Sequence, residues 1–355
     1  MSNPYTNISD YCFWSKAMSD PAPGLIDPVV KSEVISQEQK VATMGSCFAQ
    51  HLAKHISKSG LNYYVAEPAP EGIEKNDALR RNYGVFSARF GNVYTVKQAL
   101  QLFDRAFGTF VPEDSIWKRN GNFVDAFRPT IESDGFLSVD DLEQDRDKHY
   151  SCVRDMFVKS DWLVFTLGLT EGWRSRFDGA VYPIAPGVAG GEYDSSKYEF
   201  VNFSVHEVIS DLFELITKIR FLDSDKKVLL TVSPVPLIAT YEDRHVLVST
   251  TYSKSVLRVA ADEMERRFQD VIYFPSYEII TSPAAGGRYY LDDLRQVSEL
   301  GVNHVMQVFG KHFFNEPIFS NRVYDVYESP LTTSDNSNIV CDEEEIIRAL
   351  KLSGF

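Results

Sequence analysis

Residues 45–60, GSCFAQHLAKHISKSG, hold the side chains best suited to chemistry. A short apolar run, Val41-Ala42-Thr43-Met44, reads as a strand that stops at Gly45. Ser46 and Cys47 follow, and a helical pattern begins at once. Phe48, Leu52 and Ile56 recur every four residues and predict one buried stripe. Cys47, His51 and His55 recur at the same spacing on a neighbouring stripe. A helix over 47–59 then carries a thiol at its start and two imidazoles along one side, with Gly60 closing it. Unpaired N–H groups and the positive end of the helix dipole favour a thiolate there. Strand, tight turn and helix in this order is how many hydrolases expose a nucleophile. The plainer reading is a buried small cysteine beside surface histidines.

The elements that must position these groups alternate along the chain. Leu61–Val65 reads as a strand, and Thr95–Phe107 and Asp141–Lys159 as helices. Trp162–Leu167 is a continuous apolar run, as expected of a strand buried on both faces. Val205, Val208, Ile209, Leu212, Leu215, Ile216 and Ile219 form an amphipathic stripe. Val228–Val232 and Val271–Phe274 read as strands, and Ser253–Phe268 and Ser298–Phe314 as helices. Strands separated by helices predict an α/β fold: three layers, α/β/α, around a mainly parallel, flavodoxin-like sheet. The domain plan is an extended arm over 1–40, one domain over 41–318 and a tail over 319–355. Residues 68–135 and 174–203 are rich in Gly, Pro and Tyr and read as loop insertions near the site. In such sheets the ligand crevice lies at the carboxyl ends of the strands. The segments to watch are therefore 45–47, 168–173, 233–237 and 276–280.

Bulk properties narrow the function classes. The 355 residues are 44% hydrophobic and 24% charged, ordinary for a globular chain. A formal net charge of −14 opposes non-specific binding to nucleic acid or anionic membrane. Four cysteines (Cys12, Cys47, Cys152, Cys341) lack CxxC spacing, so neither a metal site nor a disulfide framework is expected. With no secretory signal and no long apolar run, the expected location is the cytoplasm, with no membrane span. Phosphate-cradling glycine loops are absent, so no nucleotide fingerprint is seen.

MGSCFAQH (44–51), FSARFGNVYT (86–95), FTLGLTEGW (165–173), TVSPVPL (231–237), YSKSVLR (252–258) and FPSYEI (274–279) together resemble the GSCFA-domain family. That family is itself similar to the SGNH or GDSL-like hydrolases. The resemblance runs from about residue 25 to 315. It implies that Cys47 takes the nucleophile position of a Gly-x-Ser block, with Ser46 beside it. It implies an oxyanion hole drawing on Gly91 and Asn92, and on Thr170 where relatives of the wider fold have Asn. The final Asp-x-x-His block reads Asp293-Leu294-Arg295-Gln296, and Gln296 cannot act as a base. His51, His245 and His304 are the histidines that can replace it, with Asp293 or another acid orienting one of them. His304 lies eight residues past Gln296, about 12 Å along a helix axis.

Two further residues belong with these. Glu171 follows a strand, so it is expected in the crevice or in a salt bridge. Lys254 opens the expected helix, where a cation is unfavourable unless a partner such as Glu171 or a ligand anion is near. Arg80, Arg81, Tyr83 and Arg89 suggest a clamp for an acidic ligand. Aromatic residues, 13% of the chain, combine with carboxylates in a way that suits sugar rings. The function expected is hydrolysis or transfer of an O-acyl group on a carbohydrate-like substrate. No cofactor is needed beyond an acyl thioester donor if the enzyme is a transferase. The alternative is a catalytically silent module for binding or assembly in surface-polysaccharide production.

Overall fold

The computed structural model describes residues 3–22, 24–314 and 342–352. The chain divides into two compact units. One comprises Met1–Ser36 with Phe274–Asn338, the other Gln37–Tyr273 with Ile339–Phe355.

The larger unit is built on a five-stranded parallel sheet. Its strands are β1 (Lys40–Gly45), β2 (Asn62–Tyr63), β5 (Trp162–Leu167), β9 (Lys227–Val232) and β10 (Val271–Tyr273). They lie side by side in the order β10-β9-β5-β1-β2, every pair parallel. Numbered along the chain this is 2-1-3-4-5, the order of flavodoxin-like doubly wound sheets. The winding reverses between β1 and β5, which opens a crevice outside their carboxyl ends. Every residue of β5 is buried, as its apolar run predicts. Helix α1 (Ala49–Lys58) packs on β1 and β2, and α6 (Val246–Arg267) on β9 and β10. Helix α5 (Val205–Leu222) packs between α3 (Val96–Ala106) and α6. Capping boxes start two of these helices: Thr95 with Gln98, and Ser204 with Glu207. Each satisfies two backbone N–H groups that the first turn leaves unpaired.

Three elements differ from the sequence-based expectation. Helix α6 begins at Val246, seven residues before Ser253. Its first two turns expose Val246, Leu247 and Val248, so no buried stripe marks them. Their start is set by His245, whose ring accepts from the Leu247 N–H at 3.1 Å. The segment 68–135 holds, besides α3, helix α2 (Lys75–Arg80) and an antiparallel hairpin, β3 (Ile116–Arg119) and β4 (Asn122–Asp125). Asn120 and Gly121 both have positive φ, 51° and 88°, which is the backbone of a two-residue hairpin turn. The segment 174–203 belongs to a second antiparallel sheet of β6 (Glu171–Ser175), β7 (Val181–Tyr182) and β8 (Tyr198–Asn202). The two segments share a core in which Trp117, Val124, Phe127, Tyr182 and Tyr198 pack together. They are therefore a folded layer rather than loops. Helix α4 (Val139–Lys159) follows, capped by Ser138.

The smaller unit contains α7 (Ser276–Thr281) and α8 (Glu299–Phe313). Its N-terminal segment is tied to α8 by Ile35 N–H donating to Phe313 O at 2.7 Å and by Asp27, which pairs with Lys311 and His312. Of the expected tail over 319–355, residues 319–341 and 353–355 lie outside the described residues. Residues 342–352 include a helix, α9 (Glu344–Leu352), in the larger unit.

Candidate active site

Gly45 ends β1 with φ +134°, where an added Cβ would stand 2.3 Å from Thr166 O. No side chain fits between the two strand exits at that point. Ser46 N–H donates to Thr166 O at 3.2 Å, and Val93 N–H donates to Gly45 O at 2.9 Å. Tyr94 O accepts from Gly168 N–H and Leu169 N–H at 3.2 and 2.9 Å. Gly168 is equally confined, since its Cβ would meet Tyr94 O at 2.8 Å and Ser46 Cβ at 3.0 Å. Three segments distant in sequence, 45–47, 92–95 and 166–170, are thus drawn together at the point where the sheet order reverses. Ser46 is 3% and Cys47 5% exposed. The Ser46 hydroxyl and that of Thr166 are buried without a hydrogen-bond partner. Such groups cost about 1–3 kcal/mol each and mark positions kept for something other than stability.

The turn into α1 is tighter than the four-residue spacing suggests. Ala49, Gln50 and His51 N–H groups donate to Ser46, Cys47 and Phe48 carbonyls, each three residues back, at 2.9–3.1 Å. In that winding side chains three apart eclipse. His51 accordingly meets Phe48, ring centroids 5.4 Å apart. Gln50, three residues from Cys47, is buried and reaches Asn92 Oδ1 at 3.4 Å. Burial first, and then the Lys54 charge, push the His51 pKa down to about 4. The ring is therefore neutral, and a proton acceptor, through the physiological range.

Gly91 (φ +69°) and Asn92 form the wall opposite α1. Asn92 Nδ2 donates to Asp342 Oδ2 at 3.0 Å, and Asp342 N–H donates to the Tyr94 hydroxyl at 3.1 Å. Thr130 Oγ1 donates to the other Asp342 oxygen at 2.6 Å. Burial raises the pKa of Asp342 against these hydrogen bonds. Asp342 lies in the expected tail over 319–355, and its carboxyl is a buried part of this wall.

On the β5 side, Thr170 donates its hydroxyl to Asn202 Oδ1 at 2.8 Å and its N–H to Ser253 Oγ at 3.0 Å. Neither donor is available to an oxyanion in this arrangement. Lys254 is fully buried in the third turn of α6, not at its start, and Nζ donates to Gly168 O at 2.6 Å. The dipole objection to a cation there disappears, and the backbone carbonyl of the β5 exit is a partner. Glu171 accepts from Thr240 Oγ1 at 2.7 Å, and burial raises its pKa. Beside it Trp173, Tyr193, Phe200 and Tyr241 make mutual ring contacts at 4.9–6.0 Å, with Tyr193 and Tyr241 open to solvent.

The other candidates are placed elsewhere. His245 is exposed and serves as the N-cap of α6. His304 and Asp293 belong to the smaller unit. His304 Nε2 donates to Ile26 O at 2.8 Å and Nδ1 accepts from the Tyr289 hydroxyl at 2.7 Å, so both nitrogens have structural partners. Asp293 Oδ1 accepts from the N–H groups of Arg295 and Gln296, each at 2.9 Å, and closes an exposed turn.

The expected clamp of Arg80, Arg81, Tyr83 and Arg89 is corrected by the packing. Arg89 is 1% exposed and donates to Asp145 at 2.8 Å, Glu132 at 2.7 Å and the Ile131 and Arg81 carbonyls. Tyr83 lies under its guanidinium at 4.1 Å. This arginine is consumed by the protein's own acceptors. It belongs to a buried ionic cluster in which Glu67 meets His149 at 2.7 Å, and Asp125 meets Arg128 and Arg146 at 3.0 and 3.2 Å. Burial alone would raise the Glu67 pKa, but His149 and Arg128 hold it near 2. Asp125 is likewise held well below the carboxylate range, against its burial, by Arg128 and Arg146.

The fold places the chain among α/β proteins built on a parallel sheet flanked by helices. The chain belongs to the GSCFA family, whose model matches residues 40–309 and so spans all three segments of the site. No curated protein matches the chain.

Proposed function

We propose that the chain is an SGNH-like esterase or O-acyltransferase whose nucleophile lies in the Gly45-Ser46-Cys47 turn and whose substrate is an O-acylated carbohydrate. The observation that carries this reading is the turn itself, held by two glycines that admit no side chain, at the point where the sheet winding reverses. Cys47 Sγ attacks the acyl carbonyl as His51 takes the thiol proton. The tetrahedral oxyanion is held by backbone N–H groups of the turn and of Gly91. The carbon–oxygen ester bond breaks, and the proton passes to the leaving sugar hydroxyl. Water or a second hydroxyl then resolves the thioester. Run from an acyl thioester donor, the same steps acylate the sugar. The aromatic patch of Trp173, Tyr193, Phe200 and Tyr241 beside Glu171 supports a sugar ring as the group bound, since stacked rings and a carboxylate suit its apolar face and hydroxyls.

The reading is tested by hydrolysis of 4-nitrophenyl acetate by the wild type, Cys47→Ala and Ser46→Ala. Turnover lost in Cys47→Ala and kept in Ser46→Ala supports the thiol mechanism. Turnover lost only in Ser46→Ala transfers the role to the hydroxyl. The near-complete burial of both side chains favours a second reading, a silent binding or assembly module for surface polysaccharide. No turnover by any of the three proteins makes that reading the better one.

A further inference from the structure

Glu171 is a carboxylate without a cation, set beside aromatic rings. It opens β6, directly after the β5 exit turn in which Gly168 meets Ser46. Residues two apart on a strand share a face. Glu171 therefore stands beside Trp173, with Asn202 and Phe200 opposite them on β8. The half-buried carboxyl accepts from Thr240 Oγ1 at 2.7 Å and, at 3.4 Å, from the Tyr241 N–H. Two neutral donors leave about half of the four lone-pair sites of a carboxylate open. Among the described residues Glu171 forms no ion pair, whereas Glu199 and Glu242, the other carboxyls of this sheet and of the loop over it, are each paired with arginine. Arg244, whose charge acts on Glu171, is held by Glu242 and lies over the Tyr252 ring.

The rings beside this carboxyl come from separate segments. Trp173 lies on β6, Tyr193 on the loop before β8 and Tyr241 on the segment before α6. Both tyrosines stand edge-on to the indole, at 5.3 and 4.9 Å between centroids, and they are 49% and 65% exposed. Aromatic faces attract a cation within about 6 Å of the ring centroid. Among the described residues no Lys or Arg lies over any of these three rings. A neutral sugar ring would cover the aromatic faces but leave the charge of Glu171 unmet. An ammonium group meets both, by donating N–H to the open carboxylate lone pairs and by facing the π-surfaces. We propose that this face binds a sugar that carries a free ammonium group. The sugar rests on the carbohydrate reading above, and the positive charge rests on Glu171 and the rings alone.

The experiment is calorimetric titration of the whole chain at pH 6, at fixed ionic strength, with a trimer of β-1,4-linked glucosamine. Its fully N-acetylated counterpart keeps the rings and removes the charge. The expected result is saturable binding of the amino trimer, at least about tenfold tighter than the acetylated one. Glu171→Gln keeps the shape and is expected to weaken the amino trimer at least about fivefold. Tyr241→Leu keeps an apolar side chain without the π-face and is expected to weaken it about threefold to tenfold. Glu143→Gln removes an exposed carboxylate on α4 and is expected to change nothing. Equal affinity of the wild type for both trimers would overturn the ammonium assignment and leave the carbohydrate reading standing. Binding of neither would overturn both. Unchanged affinity in Glu171→Gln, or an equal loss in Glu143→Gln, would overturn the location.

Discussion

Two buried polar regions of the larger unit are built in opposite ways. Around Arg89, Glu67 and Asp125, every carboxylate faces at least one cation, and charge is used to fasten the 68–135 segment to α4. At the β1 and β5 exits the strands' own last side chains are small and uncharged, the buried cation Lys254 donates to a backbone carbonyl, two hydroxyls lack partners, and glycines allow the backbones to touch. The first region is organised for stability and specificity of packing. The second leaves the Ser46 and Thr166 hydroxyls buried without a hydrogen-bond partner, at a cost in stability. The two regions differ in means: paired charge fastens the first, and close backbone contact shapes the second.

Breaking the charged region should have the largest effect. Asp125→Asn leaves Arg128 and Arg146 facing a neutral amide, and a loss of about 3–5 kcal/mol is expected in urea unfolding. A loss under about 1 kcal/mol would mean that water already screens the cluster. Gly45→Ala attacks the other region through its backbone. The positive φ and the overlap with Thr166 O together are expected to cost about 3 kcal/mol or more. Wild-type stability in that variant would show that the strand exits are loosely apposed.

Acid should undo the first region selectively. The Glu67 carboxyl moves from about 4.5 unfolded to about 2 folded. Its stabilisation is therefore complete above pH 4.5 and is lost as pH falls towards 2. The span is worth roughly 3 kcal/mol. Urea midpoints measured across that window should fall, and Glu67→Gln should flatten the dependence. An equally steep fall in Glu67→Gln would assign it to other carboxyls. The smallest effect sharpens the comparison most, because its sign is reversed. Ser46→Ala removes a buried hydroxyl that has no partner, and is expected to stabilise the chain by about 1 kcal/mol. Destabilisation would show that the hydroxyl has a partner in solution.

Much of the sheet was legible because buried parallel strands are continuous apolar runs. WLVFTL and VLLTV lie in β5 and β9, and the stripe from Val205 to Ile219 lies in α5. The first turns of α6 were missed because their apolar side chains face solvent. The hairpin of β3 and β4 was missed although Asn120-Gly121 is a strong turn signal. In the candidate site, with both Thr170 donors spent on Ser253 and Asn202, Ser46, Cys47, Gly91 and Thr170 were named from local motifs. Gln50 and Asp342 were not, since their roles come from contacts with Asn92. Arg89 could not be told from a ligand-binding arginine in sequence. The carboxylates that occupy Arg89 are Glu132 and Asp145, more than forty residues away. The His51 spacing was read correctly as helical, but the tight first turn pairs His51 with Phe48.

The central claim is that the turn after β1 carries a nucleophile. It is tested most directly by trapping the acyl-enzyme: brief reaction with 4-nitrophenyl acetate, acid quench, digestion and mass spectrometry of the peptide containing residues 45–51. The expected result is one acetyl group on Cys47, absent from Cys47→Ala and removed by neutral hydroxylamine as a thioester is. Hydrolysis of the ester with no acetyl on Ser46 or Cys47, or with acetyl on another residue alone, would contradict it.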